Sequence, residues 1–256
     1  MSKLSIGIHA DSYAVRLHDD FIWCDLLKNQ YDIINYAKSG NSVYQVYRSL
    51  LEHENKHDLN IVIIPTYDRF YSKYLYNSKI SQIVKENNWF TFYQNVLFYE
   101  KMLDRKNQLK DENLDIINSL KVYYRLWADF EYLNDVNMAL ADKIKNKPKV
   151  ITIEVKSSDP NNLGLMDISK WDLNNLPGVR ESFFNEGGAM AGLDKKKKRW
   201  LADDRSCHLS EDNNICLGKV VVNAIEKNMK EIKLSLDDFI VPTKSAENYL
   251  KWVYHD

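Results

Sequence analysis

Apolar residues alternate from Lys3 to His9, the period of a strand, and the run ends in the polar turn Ala10-Asp11-Ser12. From Asp19 to Asn29 the spacing becomes helical, with Phe21, Leu26 and Leu27 apolar and Asp19 or Asp20 available as a cap. Tyr31 to Tyr36 reads as a second strand, followed by the small polar loop Lys38-Ser39-Gly40-Asn41-Ser42. Val43 to Asn55 reads as a helix with Val43, Val46, Tyr47, Leu50 and Leu51 on one face. Leu59 to Ile64 is, apart from Asn60, a continuous apolar run stopped by Pro65, the pattern of a parallel strand buried on both faces. Strand, helix, strand, helix, strand at this spacing predicts a right-handed parallel sheet.

The pattern then changes. From Phe70 to about Asn146 there is no strand signal and no proline. Helical periodicity runs through Tyr71–Tyr76, Trp89–Asp104 and Leu114–Ile144, rich in Tyr, Trp and Phe. A connection in an α/β unit usually takes about 2–6 residues. Residues 70–146 therefore read as a helical insertion or an elaborated crossover. Lys149 to Val155 is a fourth strand. Ser157 to Arg199 reads as irregular, with turn signals at Asp159-Pro160, Pro177-Gly178 and Gly187-Gly188. Ser210 to Lys230 is a final long helix, and Glu231 to Asp256 gives no readable pattern. The expectation is an α/β protein: three layers, α/β/α, a mainly parallel flavodoxin-like sheet, one domain over 1–230 and an extension over 231–256.

Composition narrows the function. The chain has 256 residues, 45% hydrophobic and 28% charged, an ordinary globular balance. Its 35 basic and 36 acidic residues leave a net charge of -1, so no global field holds nucleic acid. No apolar stretch approaches the ~20 residues of a membrane-spanning helix. The first residues carry no apolar signal-peptide region, which points to the cytoplasm and to reduced thiols at Cys24, Cys207 and Cys216.

In an open parallel sheet, ligands bind beyond the carboxyl ends of the strands. There stand Asp11-Ser12, then Ser39-Gly40-Asn41-Ser42, then Pro65-Thr66-Tyr67-Asp68-Arg69. Opening the last helix is Asp203-Asp204-Arg205-Ser206-Cys207-His208-Leu209-Ser210. A serine hydroxyl is a weak nucleophile and needs an adjacent base. Histidine supplies one near neutral pH, and a carboxylate fixes its tautomer. Backbone N–H groups at a glycine loop suit a tetrahedral oxyanion.

These blocks resemble the SGNH (GDSL-like) hydrolases. The family's Gly-Asp-Ser block is matched by His9-Ala10-Asp11-Ser12-Tyr13-Ala14. Its Asn-x-x-x-Ser-Gly block is matched by Asn35-Tyr36-Ala37-Lys38-Ser39-Gly40. Its final Asp and His are matched by Asp203-Asp204 and His208, in a form similar to phage-encoded members. The resemblance implies a serine esterase with Ser12 as nucleophile and His208 as base. Asp204 is the first choice to orient His208, and Asp203 the second. Gly40 would be an oxyanion donor. It further implies a small acyl ester as substrate, such as an O-acetyl group on a carbohydrate, no cofactor and no metal. A phage-encoded member would be virion-associated. Three departures stand out. The family's Asn in the third block is absent, so Thr66 and Arg69 become the substitute donors. The Asp-to-His spacing is longer than usual. Ala10 replaces the leading glycine.

Each piece also has an ordinary explanation. Asp-Ser after a strand is often a helix cap. Gly40 alone is a turn residue, and Ser210 with Asn213 reads as a capping pair. Lys195–Arg199 is a solvated basic run unless it meets phosphate or an acidic glycan. The aromatics of 71–127 serve a core or an oligomer face as readily as a sugar-stacking wall. Two rival functions fit the same fold: an inactive glycan-binding or structural module, and an acyltransferase whose helical insertion excludes water.

Overall fold

A computed structural model describes residues 3–15, 22–38, 40–67, 114–115, 117–119, 121–122, 130–159, 161–175, 193–194, 199–200 and 209–241. The strands are β1 (Ser5–His9), β2 (Asp32–Asn35), β3 (Leu59–Ile64) and β4 (Val150–Glu154). They form one parallel sheet in the order β2-β1-β3-β4. The helices are α1 (Trp23–Leu27), α2 (Val43–His53), α3 (Phe130–Lys145), α4 (Leu165–Asn175) and α5 (Glu211–Glu226). A two-stranded antiparallel ladder, β5 (Leu193–Asp194) with β6 (Arg199–Trp200), lies apart from the sheet.

The period of two in each strand decides the layers. Ile6 and Ile8 of β1, Ile61 and Ile63 of β3, and Ile151 and Ile153 of β4 point to one face. There they meet Trp23 and Leu27 of α1, Leu165 and Ile168 of α4, and Leu217 and Val221 of α5. On the opposite face Val62, Ile64 and Val150 pack against Val43, Val46 and Leu50 of α2 and Ala141 and Ile144 of α3. The fold is the three-layer α/β/α sandwich that the sequence predicts. Among the described residues no helix is long and apolar enough to cross a membrane.

The differences are local. Leu51, expected on the buried face of α2, is 41% exposed, so the apolar stripe is narrower than the periodicity implied. The segment 157–199, read as irregular, contains the helix α4. The region after α5, unreadable in sequence, is partly built into the domain. Ile232 N donates to Thr152 O and Thr152 N to Lys230 O, a minimal parallel bridge beside β4. Ile232, Leu234 and Phe239 are buried in the larger core. Of the expected helical middle, only parts of 114–122 and α3 fall within the described residues.

Candidate active site

The carboxyl ends of β1, β2 and β3 place three predicted blocks on one rim. After β1 the chain enters a single 3-10 turn, Ser12–Ala14. Asp11 caps it, its Oδ1 accepting from Tyr13 N at 3.1 Å. The capping role therefore falls to Asp11 and not to Ser12, and both residues are buried.

The second loop is tied to the first. The β1–β2 register puts Asn35 opposite Ile8. From there Asn35 Nδ2 donates to Ala14 O at 2.6 Å, while its Oδ1 accepts from Ala37 N at 2.9 Å. Lys38 N donates to Ala10 O at 3.2 Å, and Asn41 Nδ2 donates to the same oxygen at 2.9 Å. Asn41 N closes a turn onto Lys38 O at 3.2 Å, with Gly40 at φ 76°. That φ is the left-handed region, where a Cβ is costly, so glycine is required here. Ser42 then caps α2 through a reciprocal pair with Gln45, which fixes the direction in which the chain leaves the loop.

Thr66 follows β3 on the same rim and is buried. The β1–β3 register pairs His9 with Val62, so Ser12 and Thr66 leave adjacent strands at nearly the same height. The next residue is held firmly. Tyr67 OH donates to Glu154 Oε1 at 2.9 Å, and Asn137 Nδ2 donates to Tyr67 O. Glu154, at the end of β4, also takes Lys145 Nζ at 2.8 Å and Ser158 N at 2.9 Å. Burial pulls the Glu154 carboxyl upward, but the Lys145, Ser158 and Tyr67 hydrogen bonds outweigh it and hold it below the usual carboxylate range. Burial, reinforced by the Glu154 charge, raises the Tyr67 phenol. Glu154 thus serves as an anchor for the segment carrying Thr66.

His208, Asp203, Asp204 and Arg69 lie outside the described residues, as do Ser39 and Cys207. The chain immediately after His208 is described, and two hydrogen-bonded routes connect it to Tyr13, the neighbour of Ser12. In the first, Trp23 Nε1 donates to Tyr13 O at 2.9 Å and Trp23 N to Asn214 Oδ1 at 3.2 Å. Asn214 Nδ2 then donates to Leu209 O at 3.0 Å and Ser210 O at 3.1 Å. The second runs through α4. Ser169 Oγ lies 3.4 Å from Tyr13 OH, and Asp172 accepts from Ser210 N at 2.6 Å and Ser210 Oγ at 2.9 Å. Ser210 is also the N-cap of α5, as its position before the helix predicts.

Sequence reasoning missed Asn41, Trp23, Asp172, Asn214 and Glu154. A signal existed for Asn41 and Asn214, polar residues next to a required glycine and at a helix start. For Asp172 the signal was the helical spacing of Leu165, Ile168 and Trp171, hidden by the turn signals on either side. The Trp23 contact gives a direct stability test. Trp23→Phe removes the indole N–H that donates to Tyr13 O together with part of a fully buried ring, a combined loss of about 2–4 kcal/mol. The shift in urea midpoint at constant slope measures it.

No family model matches the chain, and no curated protein matches it. Among solved structures it is similar to the lipase/acylhydrolase from Enterococcus faecalis, at 13% identity and TM-score 0.33, over 91% of this chain and 100% of that one. It is similar to an acetyl xylan esterase at 12% identity and TM-score 0.32, over 87% of this chain and 100% of that one. A gut microbial diltiazem-metabolizing enzyme is similar at 13% identity and TM-score 0.32, with 87% of this chain covering 47% of that one. Likenesses this distant assign neither substrate nor site residues.

Proposed function

We propose that the protein is a serine esterase of the SGNH type that cleaves a small acyl ester, with an O-acetyl group on a carbohydrate as the substrate class. One observation carries this reading. The segment that begins directly after His208 is tied by two polar routes to the residue beside Ser12, and the Gly40 loop is tied to Ala10. These contacts support a single rim for nucleophile, base and oxyanion donors.

The mechanism follows from the chemistry of the groups. Ser12 Oγ attacks the ester carbonyl carbon while His208 takes its proton. Asp204, or Asp203, accepts from the other imidazole nitrogen and stabilises the imidazolium. The N–H groups of Ser12 and Gly40 donate to the oxyanion, with the Thr66 hydroxyl and Arg69 in the place of the missing asparagine. The tetrahedral intermediate collapses, the alcohol leaves with the proton from His208, and Ser12 carries the acyl group. Water, deprotonated by His208, releases the acid and restores the serine.

A fluorophosphonate probe tests the reading. The folded protein should label stoichiometrically, and peptide mass mapping should find the adduct on Ser12. Absence of labelling would overturn it in favour of a binding module, and an adduct elsewhere would remove Ser12 as the nucleophile. The substitute donor has its own test. Thr66→Val keeps the shape and removes the hydroxyl, so kcat on an activated acetyl ester should fall about ten- to a hundredfold with KM little changed. Unchanged kcat would remove Thr66 from the oxyanion hole.

A further inference from the structure

We propose that Asn41 is a positioning residue that sets the Gly40 N–H against Ser12; this rests on the serine-esterase reading above, in which both backbone N–H groups hold the oxyanion. Asn41 follows Gly40 directly, so a tether on its side chain acts one residue from the donor. Asn41 is buried, and its Nδ2 donates to Ala10 O at 2.9 Å. Ala10 lies two residues before Ser12, and the chain between and beyond them is internally bonded. Asp11 Oδ1 accepts from Tyr13 N at 3.1 Å, Asp11 O from Ala14 N at 3.4 Å, and Ser12 O from Val15 N at 3.1 Å. Asn35 makes a matching tie on the far side of the serine, its Nδ2 donating to Ala14 O at 2.6 Å. Two asparagines that frame the Gly40 loop thus hold the carbonyls two residues before and two residues after Ser12.

The tie from Asn41 exceeds what backbone satisfaction requires. Ala10 O already accepts from Lys38 N at 3.2 Å, so the buried carbonyl keeps a partner without the asparagine. The loop also closes its own turn, with Asn41 N on Lys38 O at 3.2 Å and Gly40 at φ 76°. The Lys38 bond alone lets the loop pivot about Ala10 O. A second bond to the same oxygen, from the other end of the turn, removes that freedom. Donors that stabilise a developing charge act best when they stand in place before the reaction, and a misplacement of about 1 Å can cost on the order of a hundredfold in rate. A side chain that works through Gly40 does not bind the ester itself. Its loss therefore falls on the tetrahedral state and spares the capture of substrate.

Asn41→Ala is the test, because it removes the side-chain donor and leaves Lys38 N on Ala10 O. Asn41→Ser, whose hydroxyl is too short to reach Ala10 O, serves if the first variant does not fold. Val46→Ala, in the α2 core, supplies a matched loss of melting temperature. The readouts are kcat and KM on an activated acetyl ester, the affinity for a boronic acid that forms a tetrahedral adduct on serine, and the Gly40 amide followed by NMR. Ser39-Gly40 is the only Ser-Gly pair in the chain, so carbonyl-labelled serine combined with nitrogen-labelled glycine isolates that amide. A fall of about ten- to a hundredfold in kcat, little change in KM, a parallel fall in boronate affinity and a displaced, faster-exchanging Gly40 amide are expected, none of them in Val46→Ala. A wild type that labels at Ser12 beside an Asn41→Ala protein with unaltered kcat and boronate affinity would overturn the positioning role and leave the esterase reading standing. Equal losses in Asn41→Ala and Val46→Ala at equal melting temperature would also overturn it. A wild type that does not label overturns the esterase reading, and Asn41 then keeps its positioning role only if the Gly40 amide moves in Asn41→Ala and not in Val46→Ala.

Discussion

Ser12→Ala and His208→Ala should each lower turnover of an activated ester by about 10³- to 10⁶-fold, and the double variant should be scarcely slower than either. The size follows from the step that the proposed mechanism gives each residue. Without Ser12 there is no acyl-enzyme, and water must attack directly. Without His208 the hydroxyl keeps its proton and the leaving alcohol gains none. The non-additivity is the sharper part. Two residues that serve one proton transfer are lost together, so removing the second costs little once the first is gone. Activity left in the double variant reflects oxyanion donors and substrate binding alone. Steady-state kinetics on the four proteins, with urea midpoints to check folding, measure the cycle. Losses that add would mean that the two side chains act independently.

The parts of this picture that were legible in the sequence are those with a short period. Leu59–Ile64 was readable to the residue because a parallel strand covered on both faces is apolar at every position but Asn60 and stops at Pro65. The strand-end positions of Ser12, Gly40 and Thr66 were readable because the order of strands and helices says which loops share the carboxyl rim before any contact is known. α4 was hidden by its flanks. Leu165, Ile168 and Trp171 have helical spacing, but Asp159-Pro160 and Pro177-Gly178 frame them as a loop. The bridge beside β4 was hidden for another reason. Ile232 and Leu234 alternate, yet so short a run becomes a strand only against Thr152. The contact of Asp172 with Ser210 joins positions 38 residues apart, and no local pattern encodes a contact of that range.

Acid should destabilise this protein from near pH 6.5 downward, and the cause lies under β1. His9 is fully buried. Its Nε2 lies 3.1 Å from Asn60 Oδ1 and its Nδ1 2.9 Å from Ser49 Oγ, a fit for the neutral ring. Tyr36 stacks on it at 5.1 Å and on His53 at 4.0 Å, and Tyr36 OH contacts His57 Nε2 at 2.9 Å. The strand makes room for this cluster at Gly7, where a Cβ would lie 2.6 Å from His57 Cδ2 and 2.8 Å from Asn60 Oδ1. Burial, aided by the nearby His53 and His57, pushes His9 down from 6.5 to about 4 despite the Asn60 hydrogen bond. Burial lowers His57 in the same direction. The sign follows directly. Between these two values the unfolded chain binds a proton that the folded ring refuses, so stability falls as pH drops. The fall begins near 6.5 and levels off near 4. At ~1.36 kcal/mol per unit of pKa difference, His9 alone accounts for about 3 kcal/mol. Glu154 also loses stability in acid, so the wild-type slope alone does not isolate the histidine. His9→Gln does, because its amide can keep a polar contact with Asn60 or Ser49 and cannot titrate. Urea midpoints from pH 7.5 to 4 should fall steeply for the wild type and much less for His9→Gln. Parallel curves would assign the acid sensitivity to other groups. The cluster also bears on the site, since Tyr36 N donates to Ile8 O at 2.8 Å just before the loop that carries Gly40. On the esterase reading, charging His9 should disturb the end of β1 just before Ser12, so loss of ester turnover should precede global unfolding on the acid side.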